Sequence, residues 1–140
     1  MAPINSPDWT ITEAPSIDDI EAMAKRAFMR LPKDFRRLCE DVIIRVEDFP
    51  AAEVLDDLGI DDELDLLGLF QGVGLAQGGG AASGAMPNMV HLYRRPILDY
   101  WAGHHETLGA IVTHVLVHEI GHHFGLSDED MAKVEERARA

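Results

Sequence analysis

Cysteine is nearly absent from this 140-residue chain: Cys39 is the only one, so no disulfide can form within it, and a reducing compartment suits it. Basic residues are also scarce. Twelve lysines and arginines face 25 aspartates and glutamates, and the formal net charge of −13 repels phosphate backbones and anionic lipid headgroups. Neither nucleic acid nor a membrane is an expected partner. Long apolar runs are missing too: none approaches the roughly 20 residues that span a bilayer, and MAPINSPDWTITEAPS offers neither a basic nor an apolar export region. The expectation is a soluble cytoplasmic protein. Cys39 itself reads as a small apolar residue at a helix end, with no catalytic role.

A chain of this length can bury one core, and a single domain over residues 16–140 is expected. Residues 1–15 are rich in Pro, Ser, Thr and Asp without periodicity and read as a flexible arm, with Trp9 as its one possible anchor. Ser16 and Asp19 form a capping-box pattern ahead of Ile17, Ile20, Met23, Ala24, Ala27, Phe28 and Leu31, which recur at helical spacing until Pro32. Phe35, Leu38 and Cys39 suit a short second helix. Val42 to Val46 is a β-branched strand, AAEVLDDLG a short helix stopped at Gly59, and Leu66 to Phe70 a second strand or a helix. Met89 to Ile97 alternates as a further strand ended by Pro96, and ILDYWAG as a helical turn.

Between these elements, residues 72–87 hold glycine, alanine and serine in a proportion that ordering would penalise heavily, since glycine loses the most backbone entropy. This is a Gly-rich flexible loop, serving as a lid or simply unstructured. No Lys-Ser or Lys-Thr follows the glycines and no strand-to-helix context surrounds them, so nucleotide binding is excluded.

The chemistry is concentrated near the C-terminal end. A helix from about Glu106 to Phe124 is apolar on nearly every side, as a buried helix is, yet it carries His114, His118, Glu119, His122 and His123. Burying such groups unsatisfied costs about 2 to 7 kcal/mol for each neutral one. A metal ion resolves the conflict. His118 and His122 are one turn apart on a single face and can converge on one ion, while Glu119 can reach a metal-activated water without ligating. Gly125 can take the left-handed conformation that ends the helix and turns the chain back, bringing Asp128 round as third ligand of a one-zinc site. Asp128 has a second explanation, because Ser127 reads as the N-cap of a last helix whose positive end favours Asp128, Glu129 and Asp130. His123 points away from the ligand face and reads as a hydrogen-bonded core or outer-sphere histidine. His114 shares the ligand face; substrate binding and a fourth ligand position are open to it, and it is expected to line the pocket. A hydrogen-bonded histidine network without metal is the bland alternative.

The string HEIGHHFGLSD (His118 to Asp128) resembles the extended HExxHxxGxx(H/D) signature of the zincins in its aspartate form. From about Pro15 onward the chain is similar to the small bacterial zincin-like metallopeptidase family, through LP at Leu31, VEDFP (Val46 to Pro50), LLGLFQG (Leu66 to Gly72), LYRRPI (Leu92 to Ile97) and VLVHEIGHHFGLSDEDM (Val115 to Met131). The resemblance implies an α+β minimal zincin-like fold, with a small mixed β-sheet packed on an active-site helix and additional short helices. It implies zinc on His118, His122 and Asp128, with Glu119 as catalytic base. Larger zincins carry a methionine-containing turn under the metal; Met131, expected on the last helix, is the nearest methionine downstream.

Two functions follow as expectations. The first is a zinc-dependent metallopeptidase acting on a peptide or protein substrate, with Tyr93, Arg94 or His114 available to the oxyanion and the strand around Leu92 to Arg95, if an exposed edge, available to pair with substrate. The second is a catalytically inactive, metal-stabilised zincin-like domain that binds a protein partner.

Overall fold

The computed structural model describes residues 7–72 and 88–139. The Gly-rich loop expected over 72–87 therefore lies, apart from Gly72, outside the described residues, as do the first six residues of the arm.

Helix α1 (Ile17–Arg30) begins on the capping box: Ser16 Oγ accepts from the Asp19 amide at 3.0 Å and the Asp19 carboxylate accepts from the Ser16 amide at 2.8 Å. Its inner face buries Ile20 and Ala24 completely. Trp9 does not anchor the arm, being 68% exposed; the tie is instead the Pro15 carbonyl, which accepts from Arg94 Nε at 2.5 Å. Helix α2 (Lys33–Leu38) leads to the buried Cys39, whose thiol donates to the Phe35 carbonyl. Burial pushes that thiol up to about 11, so it stays protonated and inert at neutral pH.

Strand β1 (Ile43–Glu47), helix α3 (Ala52–Leu58), a 3₁₀ turn at Glu63–Asp65, strand β2 (Gly68–Gln71) and strand β3 (Met89–Tyr93) follow. Gly59 ends α3 as expected, and does so in the left-handed region at φ +67°. The sheet is mixed, in the order β1-β3-β2: β1 runs parallel to β3, pairing Ile44 with Val90 and Val46 with Leu92, and β2 runs antiparallel to it, pairing Gly68 with Leu92 and Phe70 with Val90. Side-chain alternation then sends Val46, Val90 and Leu92 into the core and Arg45, Glu47 and His91 to the opposite face. There His91 bridges all three strands, its Nδ1 2.6 Å from Glu47 and its Nε2 2.9 Å from Gln71.

One expected boundary was misplaced. The strand read from Met89 to Ile97 stops at Tyr93, and helix α4 (Arg94–Ala102) starts at once, with Pro96 in its first turn. Proline is tolerated there because its missing N–H falls where a helix has no partner for one. The same topology makes β3 the central strand, so Leu92 to Arg95 is no exposed edge; among the described residues the edge strand packed on the histidine helix is β2.

Helix α5 (Leu108–His123) is capped by Thr107, whose hydroxyl accepts from the Ala110 amide at 3.1 Å. It is buried around most of its circumference, with Ile111, Val112, Leu116, Val117 and Ile120 almost wholly enclosed by α1, the sheet and helix α6 (Asp128–Arg139). Among the described residues no helix is long and apolar enough to cross a membrane.

Candidate metal centre

Helix α5 ends in a Schellman turn. The Leu126 amide donates to the Gly121 carbonyl at 2.9 Å and the Gly125 amide to the His122 carbonyl at 3.1 Å, with Gly125 at φ +79°. A side chain at Gly125 would be strained by that backbone conformation, although nothing obstructs it sterically. The reversal puts Ser127 at the start of α6, where its Oγ accepts from the Asp130 amide at 3.1 Å. Asp128 is then the first helical residue of α6, and its Oδ1 lies 3.7 Å from His122 Nε2.

His118, His122 and Asp128 each offer one donor atom, and these atoms all lie within 4.8 Å of one another. Tetrahedral zinc with nitrogen and oxygen ligands at about 2.0–2.2 Å needs donors roughly 3.4 Å apart, a spacing that small rotamer changes reach from here. Two imidazoles and a carboxylate suit zinc chemically, and the exposure of His122 and Asp128 leaves a way in for ion and ligand. Burial, reinforced by the neighbouring His114, holds the His118 imidazole below its usual range and so in the neutral form that ligates.

Glu119 is half-buried, and burial raises its carboxyl above the ordinary range, partly opposed by His122. Strand β2 lies directly over it. A Cβ added at Gly68 would sit 2.6 Å from Val115 Cγ1 and 3.4 Å from Glu119 Cγ, so only glycine lets the strand approach the helix this closely. Gly68→Ala is accordingly expected to cost about 1–3 kcal/mol in a denaturant melt and to lift β2 off Glu119. An unchanged melting curve would contradict this packing.

Of the remaining candidates, Tyr93 is buried, and its hydroxyl is pushed up to about 12 by burial first and then by the charges of Glu47 and Glu119. It therefore remains a donor. Arg94 is committed elsewhere, to the Pro15 carbonyl and the Asp48 carboxylate. His114 is more than half exposed, its ring tilted by 36° to that of His118 at 3.9 Å between centroids, with Nδ1 2.7 Å from Glu135 Oε1. His123 is not the hydrogen-bonded residue expected: its ring lies 3.9 Å from Phe70, stacked at 24°, and its Nε2 is buried without a partner among the described residues. Burial lowers its pKa, so the ring packs as a neutral aromatic.

Glu135 was not anticipated. It belongs to α6, where Met131, Val134 and Glu135 form the buried face, and its adjacency to that apolar pair was the only sequence signal available.

A small mixed sheet laid across a helix that carries two histidines and a glutamate, with a glycine turn and an aspartate beyond, is the construction of a metal-dependent hydrolase of the zincin type. The model of a family described as zincin-like metallopeptidase matches residues 39–138, and the chain belongs to that family. No curated protein matches the chain. Membership implies a bound metal, typically zinc, for which two groups of side chains among the described residues offer ligands.

Proposed function

We propose that the chain is a zinc-dependent peptidase in which His118, His122 and Asp128 hold one ion and Glu119 is the general base. The observation that carries the reading is the convergence of those three donor atoms, within 4.8 Å, beside a half-buried glutamate covered by an edge strand. Zinc, when bound, acts as a Lewis acid that acidifies a water and polarises the scissile carbonyl. Glu119 takes the proton released as that water attacks and delivers it to the departing amine nitrogen. Its raised carboxyl makes it a stronger base than a solvated glutamate, in keeping with this role. Among the described residues β2 is an edge strand, and its outer side, beside Glu119, offers backbone groups to an extended peptide whose alternate side chains would then face α5.

The test is digestion of a mixed peptide library by zinc-loaded protein purified without an affinity tag, read by mass spectrometry, together with melting before and after chelation. Cleavage that chelation stops and zinc restores is expected. At 100-fold zinc excess over Kd the bound ion should add about 2.7 kcal/mol, on the order of 8 °C in Tm. Metal-loaded protein that cleaves no peptide in the library would sink the peptidase reading.

A further inference from the structure

A second group of ligands lies one turn back along α5. The donor atoms of His114, His118 and Glu135 are also all within 4.8 Å of one another. Glu135 is 8% exposed, and its Oε1 has no aligned hydrogen-bond partner among the described residues. The His114 ring is near enough for an ion pair, at 2.7 Å, but its geometry is not that of a hydrogen bond. A buried carboxylate oxygen that is close to two imidazoles and satisfied by neither calls for a cation between them, because leaving it unmatched is costly.

We propose that His114, His118 and Glu135 form a second divalent-cation site, of the zinc class, that shares His118 with the outer trio and competes with it for a single ion. Two imidazole nitrogens and one carboxylate oxygen favour a zinc-like ion over magnesium or calcium, which prefer all-oxygen cages. Competition follows from His118 itself. A neutral imidazole has one lone pair to give, so the ring can serve either site but not both together. An ion at the inner site leaves the outer one with only His122 and Asp128, and a turn of helix, about 5.4 Å, separates it from the outer position. The inner site is thus a resting position, entered through the exposed edge of His114. The competition rests on the outer trio being the working site; the inner site stands without it.

Cobalt and zinc titrations of the untagged, metal-stripped full chain test this, with cobalt followed by its visible absorption. Wild type should bind one equivalent, and His122→Ala should still bind one, through the inner trio. Adding Glu135→Gln to His122→Ala should weaken that binding at least 100-fold. Adding His114→Ala instead should do the same, and since His114 is exposed, this variant keeps the test valid where loss of the buried Glu135 disturbs folding. If His122→Ala binds no ion, or binds one that ignores both second substitutions, the inner site does not exist. His114→Ala alone separates the two readings: it should retain an ion if the outer trio is real and lose it if only the inner one is.

Discussion

Glu119→Gln is expected to slow peptide hydrolysis by about 10³-fold while leaving one equivalent of zinc bound. The substitution keeps the shape of a side chain enclosed between α5 and β2, so the packing under Gly68 survives. What disappears is the ability to take a proton from the attacking water and return it to the leaving amine. Metal affinity should hold because Glu119 is outside both groups of converging donors. Stability of the metal-free protein should hold or rise, since an amide avoids the desolvation that raises the Glu119 carboxyl. Steady-state kinetics paired with elemental analysis reads both halves at once. Unchanged turnover would remove Glu119 from the chemistry; an unchanged phenotype in a protein that never cleaves peptide would favour the metal-stabilised partner-binding domain instead.

The contrast between what the residues announced and what they concealed follows the range of the interactions. The Ser16–Asp19 capping box, the helix stop at Gly59, the left-handed turn at Gly125, and the one-turn spacing of His118 and His122 are settled within a few residues of chain, and each is present as read. Three-dimensional neighbours were harder. Nothing in MVHLYRRPI says that β3 takes β1 on one side and β2 on the other, because a strand that is central has the same alternation as one that is an edge. Pro96 was read as a strand breaker, and it is equally a first-turn helix residue; the proline's chemistry is common to both. His123 was assigned a hydrogen bond from its polarity, whereas its real neighbour, Phe70, is 53 positions away in sequence and reaches it only because β2 crosses α5. Glu135, the first of two glutamates in EERA, looks like solvated surface until α6 is folded against α5.

Met131→Ala is expected to cost about 2–5 kcal/mol, the other large effect in this chain, because the side chain is wholly buried at the crossing of α5 and α6. That crossing depends on Gly121. A Cβ there would fall 2.5 Å from Met131 Sδ and 2.8 Å from its Cγ, so the thioether occupies the space a side chain on α5 would need. Gly121→Ala should therefore cost about 1–3 kcal/mol by overpacking. Combined, the two substitutions should cost less than their sum, by about 0.5–3 kcal/mol, since the new methyl enters the volume that the methionine vacates. Denaturant melts of the four proteins measure this coupling, and strict additivity would mean that the two side chains do not meet. The consequence reaches the metal centre because Asp128 is one turn before Met131 on α6, and Gly121 lies between His118 and His122 on α5. Any shift that Gly121→Ala forces on α6 moves the carboxylate relative to the two imidazoles, so zinc affinity should fall along with stability. The double variant, which relieves the clash, should recover affinity further than it recovers stability, because the carboxylate needs only its position restored while the core still lacks most of a buried methionine.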